Sequence, residues 1–175
     1  MSPGSDCVVR DASTADAAEI ARIYNHYIRE TTITFEVDEV SPADIATRIE
    51  TVQATRSPWL VALLDGHLVG YAYAGPFSGR CAYAHTTEVS IYLDAAASGR
   101  GIGTALYRAL FDRIREGDVH AAIGVIALPN PASVALHEKF GMRKVGHMPE
   151  VGRKFGSWID VGYWQVNLDD RSVSP

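Results

Sequence analysis

The chain has 175 residues, 47% of them hydrophobic and 21% charged, which suits one globular domain with a core of its own. The formal net charge of −5 and the lack of a Lys/Arg run argue against nucleic acid as a partner. No apolar run is long enough to cross a bilayer and the first residues lack a signal-peptide core, so we expect a cytoplasmic protein that binds no membrane.

In the first half of the chain, helix caps and one hairpin signal mark the predicted elements. Ser13 and Asp16 resemble a capping box ahead of an apolar helical stripe. Ser41-Pro42 begins a second helix, because proline is tolerated in a first turn. Asp65-Gly66 joins two apolar runs as a hairpin turn. The predicted elements are a strand at 8–10, a helix from Ser13, a helix from Ser41, and strands at 59–64 and 68–74.

In the second half, strands alternate with helices before a final pair of strands. The predicted elements are a strand at 86–93, a helix from Ile102 ended by Gly117, a strand at 120–128, a short helix after Asn130-Pro131, and strands at 142–148 and 158–168 around a turn at Gly152–Gly156. Hairpin pairing followed by helical crossovers predicts an α/β (α+β) fold, in which a mixed, mostly antiparallel central sheet has helices on both faces. We expect a single domain at 8–168 between flexible ends at 1–7 and 169–175.

Metal chemistry is not indicated by the sequence. The two cysteines, Cys7 and Cys81, lie far apart, and the six histidines form no pair at a helical metal-ligand spacing. We therefore expect no metal, and a reducing compartment in which both thiols stay free.

A glycine turn lies between the strand at 86–93 and the helix that follows. Its sequence is Gly99-Arg100-Gly101-Ile102-Gly103-Thr104. Such a turn presents N–H groups at the positive end of a helix, which is a site for phosphate. No Lys-Ser/Thr pair follows, which excludes a Walker A loop, and Thr104 stands where a dinucleotide fingerprint needs a third small residue. A plain strand-to-helix connection without a ligand is the remaining alternative.

The order of strand, Gly101-Ile102-Gly103, helix, strand, Asn130-Pro131 and helix resembles the GCN5-related N-acetyltransferase (GNAT) superfamily. Ser98 departs from the Gln or Arg with which that superfamily's loop pattern begins. Several further motifs, in the right order and covering roughly residues 8–168, are similar to the phosphinothricin and methionine-sulfoximine acetyltransferase family. They are Ile23–Tyr27, Thr34–Glu36, Ala82-Tyr83, Thr87–Ser90, Leu128–Ser133, Leu136–Glu138 and Trp158–Val161.

This resemblance implies the GNAT architecture and an enzyme that moves an acetyl group from acetyl-CoA to the α-amine of a small amino acid. Phosphinothricin, methionine sulfoximine and methionine sulfone are the acceptors of the family, which links it to antibiotic and herbicide resistance. It also implies a homodimer. Trp158, Tyr163 and Trp164 are candidate interface residues, although aromatic residues in a last strand are more often part of the core. An acetyltransferase for a different small amine and a non-catalytic acyl-CoA-binding sensor are the alternatives.

Two side chains are implied to be catalytic. Glu88 stands where this family places its proposed base, and His137 stands where it carries a histidine that is also proposed as a base. Either type of group can take a proton from the acceptor ammonium, alone or along one path. From the residues alone, Glu88 can equally be a strand carboxylate paired with a cation, and His137 a histidine that only packs.

The family further implies contacts to the coenzyme, mostly through the main chain, and to the acceptor. The coenzyme residues are Ile91, Tyr92, Leu93, Gly99, Arg100, Gly101, Ile102, Gly103, Thr104, Asn130 and Ser133. The acceptor residues are Phe35, Arg80, Tyr83 and Thr87. The residue types alone also allow Asn130 as a helix N-cap, Arg80 as a solvated cation, and the Phe35 and Tyr83 rings as core.

Overall fold

The computed structural model describes residues 7–168. In this part the chain forms seven strands and four α-helices, with short 3-10 turns at Thr14–Asp16, Cys81–Tyr83 and Ala95–Ala97. The strands are β1 (Cys7–Asp11), β2 (Trp59–Leu64), β3 (His67–Pro76), β4 (Thr86–Leu93), β5 (Ala121–Leu128), β6 (Arg143–Lys154) and β7 (Ser157–Asn167). The helices are α1 (Ala17–Glu30), α2 (Pro42–Ala54), α3 (Ile102–Arg115) and α4 (Pro131–Lys139).

The predicted flexible ends lie outside the described residues, except for Cys7, which belongs to β1. The described residues divide into two compact units. The first unit comprises 7–24, Val40–Ala74 and Ile91–Ile114, and the second comprises Asn25–Glu39, Gly75–Ser90 and 115–168. A single domain over 8–168 stays a prediction. No helix within residues 7–168 has the length and apolarity of a membrane span.

The first unit has helices on both faces of its strands. Its strand order is β1-β2-β3, with antiparallel pairing throughout. On one face, the ring of Tyr92 stacks on Tyr71 at a centroid distance of 5.4 Å and meets Tyr24 of α1 edge-on at 5.0 Å. On the other face, Leu106 of α3 lies against Gly70, where an added Cβ would be 3.3 Å from its Cδ1. The alternation of Gly70 and Tyr71 along β3 therefore places α1 and α3 on opposite faces.

The second unit contains the mixed pairing that the sequence predicts. Its strand order is β4-β5-β7-β6. β4 runs parallel to β5 over Thr86–Glu88, whereas β5–β7 and β6–β7 are antiparallel. The fold-class prediction, a mixed and mostly antiparallel sheet with helices on both faces, is confirmed.

The two hairpin turns have the backbone expected of two-residue loops. Asp65 and Gly66 both have positive φ, at 52° and 80°, which is the geometry of a type I′ turn. Phe155 and Gly156 repeat it at 51° and 78° between β6 and β7. The prediction of a turn over Gly152–Gly156 is therefore too long, because β6 continues to Lys154.

A bulge explains why the sequence suggests an earlier end for β6. The β6–β7 register shifts between Met148 and Gly152, and Glu150 has φ 52°. The Glu150 N–H donates to the carboxylate of Asp160 at 2.8 Å, which stabilises the extra residues of the bulge. Turn-forming residues here bend a continuing strand instead of ending it.

The predicted cap of the first helix is present and is reinforced by an ion pair. The Ser13 N–H donates to the Asp16 carboxylate at 2.8 Å. Arg10 of β1 donates to the same carboxylate at 2.7 and 2.8 Å, in a bidentate pair. The hydrogen bond from Arg10 is the main reason that the pKa of Asp16 lies below its ordinary value.

We expect Asp16→Asn to lower the free energy of unfolding by about 1–2 kcal/mol, because the Arg10 pair is lost while the side-chain shape is kept. Since the pKa of Asp16 is lower in the folded chain, its contribution is complete above about pH 4 and is lost as the pH falls further. Chemical denaturation at pH 7 and pH 3 measures both effects. Asp44→Asn is the control, at the exposed α2 capping box, where Asp44 accepts the Ser41 N–H in the same way but has no bidentate arginine hydrogen bond among the described residues. Equal losses in the two variants would contradict the role of the ion pair.

Candidate active site

In the first unit, the loop before α3 has the backbone of a phosphate-binding turn. Gly99 and Gly101 have φ of 77° and 79°, a conformation that favours glycine. A Cβ built on either glycine would meet no atom within 4 Å, so the space beside both is open. The helix begins at Ile102, and its first N–H groups have no preceding helical carbonyl to bond. The loop fits a diphosphate held by main-chain donors.

Asp94 fixes the start of this loop. Its N–H donates to the Val69 carbonyl of β3 at 2.8 Å, and its side chain accepts the Ala96 N–H at 3.0 Å. Its other carboxylate oxygen pairs with Arg22 of α1 at 2.8 Å. Asp94 was not predicted from the sequence, although an Asp directly after a strand and before a run of small residues is a typical cap.

A surface cavity of about 530 Å³ lies beside the same loop, within the first unit. Three arginines and three carboxylates line it, so their formal charges cancel and the cavity offers a diphosphate no clear excess of positive charge. The loop, with its N–H groups at a helix start, is the better candidate for the phosphate. The charged cavity residues are Arg10, Asp16, Glu19, Arg22, Asp94 and Arg100.

In the second unit, Glu88 lies half-buried on β4, beside Ile123 of β5. Burial raises the pKa of its carboxyl above the ordinary value. No cation within residues 7–168 forms an ion pair with it, which argues against the alternative of a paired strand carboxylate. A partly dehydrated, unpaired carboxyl is suited to accept a proton near neutral pH.

His137 of α4 is buried, with 3% of its surface exposed. Its Nδ1 lies 2.7 Å from the Ser133 carbonyl oxygen, so Nδ1 carries the proton and donates it there. The ring edge lies against Gly124 of β5, where a Cβ would clash with Cδ2 and Nε2. Burial lowers the pKa of His137, which keeps the imidazole neutral at pH 7.

Glu88 and His137 lie on opposite faces of β5. Partnered residues on neighbouring strands point to the same face, so Glu88 shares the face of Ile123. Gly124, the next residue, faces the other way and is covered by His137. The two candidate bases therefore approach this strand from different sides.

The predicted acceptor residues lie in irregular segments and one strand of the second unit. Arg80 and Tyr83 are exposed on the loop after β3, and the Tyr83 ring meets Phe77 edge-on at 5.5 Å. Thr87 is buried, and its hydroxyl donates to the Gly75 carbonyl at 2.8 Å. Phe35 is 41% exposed and outside any strand, so neither it nor Tyr83 is core.

Several of the predicted coenzyme residues have side chains that already make structural contacts. Asn130 is a helix N-cap, since its Oδ1 accepts the Ser133 N–H at 3.1 Å. The side chains of Tyr92 and Leu93 pack inside the first unit, against Tyr71 and Gly70. Coenzyme contacts from these residues, and from their neighbour Ile91, stay predictions.

An acetyltransferase (GNAT) domain model matches residues 9–162. The chain belongs to this GNAT family. It is 38% identical to a phosphinothricin N-acetyltransferase of Streptomyces coelicolor, over 95% of this chain and 99% of the relative. It is 36% identical to an L-methionine sulfoximine/L-methionine sulfone acetyltransferase of Pseudomonas aeruginosa, over 95% and 98%. A GNAT superfamily phosphinothricin acetyltransferase from Sinorhizobium meliloti, solved in complex with acetyl-CoA, superimposes with a TM-score of 0.91 at 36% identity, covering 97% of this chain and 92% of that one.

Trp164, one of the predicted interface candidates of this GNAT chain, does not lie at the surface. It is 3% exposed and its Nε1 donates to the Glu138 carboxylate at 3.3 Å, so it is a core residue. Trp158 is 60% exposed. Gly124 and Lys154 were missed by sequence analysis, because only their tertiary contacts distinguish them from other strand residues.

We expect the GNAT chain to lose stability below about pH 6.5, because His137 has a lower pKa folded than unfolded. Its contribution is complete above that pH and declines as the unfolded state takes up a proton that the folded state resists. His137→Gln should flatten this part of the curve, measured by urea unfolding from pH 7.5 to 5. His67→Gln, at an exposed position, is the control and should leave the slope unchanged. An unaltered slope in His137→Gln would contradict the neutral, buried imidazole.

Proposed function

We propose that this protein transfers the acetyl group of acetyl-CoA to the α-amine of a small amino acid such as phosphinothricin, methionine sulfoximine or methionine sulfone. The observation that carries this proposal is near-full-length identity of 36–38% to two enzymes named for these acceptors. The half-buried Glu88 supplies the proton acceptor that the reaction requires. Acetylation of such compounds would confer resistance to those that are toxic.

The glycine loop is the proposed binding site for the coenzyme diphosphate. Main-chain N–H groups from Gly99 to Thr104 would bind the diphosphate. The main chain of Ile91–Leu93 would bind the thioester carbonyl and the pantetheine amides, and Asn130 and Ser133 would make further contacts with the coenzyme. Bound acetyl-CoA supplies an activated acetyl thioester. The open space beside Gly99 and Gly101 supports this assignment, since a side chain there would hold phosphate away from the backbone.

Glu88 is the proposed general base. The α-amino group of an amino acid is an ammonium at neutral pH, and its nitrogen has no lone pair for attack until a proton leaves. A carboxyl whose pKa is raised by burial accepts that proton more readily than an ordinary glutamate. His137 is proposed as a second participant on the other face of β5. Burial keeps its imidazole neutral, and its Nδ1 donates a proton to the Ser133 carbonyl.

The loop after β3 is the proposed acceptor site. Arg80 is exposed and has no ion pair within the described residues, so its guanidinium is available for a carboxylate or phosphinate. Phe35 and Tyr83 would border the methylene part of the acceptor, and Thr87 would contribute a hydroxyl oxygen. We place the reaction in the cytoplasm, which suits two exposed, free cysteines.

Purified protein incubated with acetyl-CoA and a panel of amines should release free thiol most rapidly with phosphinothricin and the two methionine derivatives. A thiol reagent follows the reaction. A preference for polyamines would instead favour a different amine acceptor. Tight coenzyme binding without thiol release from any member of the panel would favour the acyl-CoA sensor.

We expect Glu88→Gln to lower kcat by about 10²–10³-fold, with the KM for acetyl-CoA unchanged within about twofold. In the unsubstituted enzyme, kcat/KM should rise with pH as Glu88 loses its proton, and the variant should lack this limb. Glu116→Gln, at an exposed position, is the control. A large loss of acetyl-CoA affinity would contradict the assignment of Glu88 as base.

We also propose a homodimer whose interface uses the β6–β7 hairpin. Five apolar side chains of this hairpin are between 39% and 62% exposed, which is an unusual concentration for one element. They are Val145, Met148, Val151, Phe155 and Trp158. A second copy of the chain is the proposed partner, and burial of these side chains would stabilise the pair.

Trp158→Glu should shift the protein from dimer towards monomer in sedimentation velocity at micromolar concentration, because a charge would be buried in an apolar interface. Val8→Glu is the matched control, since Val8 is equally apolar and 55% exposed but lies on β1. Identical sedimentation of all three proteins would exclude Trp158 from any interface.

A further inference from the structure

Lys154, at the end of β6, is an unusually buried lysine. Only 4% of its surface is exposed, whereas lysine is almost never fully buried without a charged partner. Its Nζ donates to the Thr34 carbonyl at 2.8 Å and lies 5.2 Å from the centre of the Phe155 ring. No carboxylate within residues 7–168 pairs with it. Burial lowers its pKa, as expected for an ammonium in these surroundings.

The carbonyl that Lys154 binds belongs to a segment without regular structure. Residues 31–39 form neither helix nor strand, so no regular ladder of main-chain hydrogen bonds holds them. Thr34 is itself 6% exposed, and its hydroxyl accepts the Glu36 N–H at 3.3 Å. Thr34 is therefore the buried centre of the segment.

The residue next to Thr34 is held by the same stretch of β6. The Phe35 ring lies over Gly152, where a Cβ would clash with three of its ring carbons. Gly152 and Lys154 are two residues apart, so they point to one face of β6, and both are buried. Consecutive residues of the irregular segment thus contact alternate residues of one strand.

We propose that Gly152 and Lys154 form a clamp that holds the Phe35 ring in place as a wall of the acceptor site. Lys154 is a positioning residue, since it contacts the backbone that carries Phe35 and not the acceptor. The long apolar stem of Lys154 lets its ammonium reach the buried Thr34 carbonyl. Methionine has a similar length but no N–H to donate, so it cannot replace this hydrogen bond. This inference rests on the proposed function, in which Phe35 borders the acceptor.

Lys154→Met tests the clamp by hydrogen exchange and by kinetics. Amide protons of residues 31–37 should exchange about tenfold or more faster, because the central anchor is lost. The KM for the acceptor amino acid should rise about 5- to 20-fold, with kcat and the KM for acetyl-CoA within about twofold. Lys154→Arg keeps a donor and should restore part of the protection. Lys144→Met, at an exposed lysine of the same strand, is the control and should change neither quantity.

A second variant covers the case in which Lys154→Met does not fold. Gly152→Ala leaves the Lys154 anchor in place but displaces the Phe35 ring, so it should raise the acceptor KM by a similar factor. Unchanged exchange of residues 31–37 in a folded Lys154→Met protein would overturn the clamp. Phe35→Ala separates the two proposals: if it leaves the acceptor KM unchanged, Phe35 is not part of the acceptor site, whereas the clamp is still judged by hydrogen exchange.

Discussion

The entry of the chain into α3 depends on the contacts of Asp94. The side chain and the main-chain N–H of Asp94 connect β3, α1 and the 3-10 turn that leads to Gly99. A diphosphate site made from main-chain N–H groups has its donor directions set by backbone torsions alone. In the proposed coenzyme site, affinity would therefore depend on a residue that has no need to touch the coenzyme, because Asp94 fixes the start of the loop that carries Gly99 and Gly101.

Burial acts in the same sense on both candidate proton acceptors of the second unit. It raises the pKa of Glu88 and lowers that of His137, so each is shifted towards its neutral form. Glu88 of β4 and His137 of α4 lie on opposite faces of the intervening strand β5. A dehydrated carboxyl brings its proton affinity closer to that of an amine, which is the direction that general base catalysis requires.

Local signals in the sequence were sufficient for most of the fold. The capping residues Ser13 and Ser41 and the turn Asp65-Gly66 act through neighbours in the chain, and all three are found as predicted. The end of β6 was placed too early, because the Met148–Gly152 bulge depends on a bond to Asp160 of the partner strand. Phe35 lies in a Thr-Ile-Thr-Phe run that is typical of a strand, yet its segment is irregular.

The candidate site residues came from two kinds of signal. The glycine loop could be singled out from its residue types and Glu88 from a family motif, but the face to which Glu88 points follows from its register with Ile123. In the sequence, Lys154 is one of several charged residues near a hairpin, and only its contact with Thr34 distinguishes it from the others. Such contacts join residues 120 positions apart, and no periodicity in the sequence reports them.

Because Gly124 and His137 are in contact, the residue at one of these positions limits which residues fit at the other. The imidazole occupies the volume in which any other residue at 124 would place its first side-chain carbon. A larger residue on β5 is therefore compatible only with a smaller one on α4, and the energetic effects of changing both will not add. Any redesign of this enzyme that aims to retain the histidine is thereby restricted to glycine at the facing strand position.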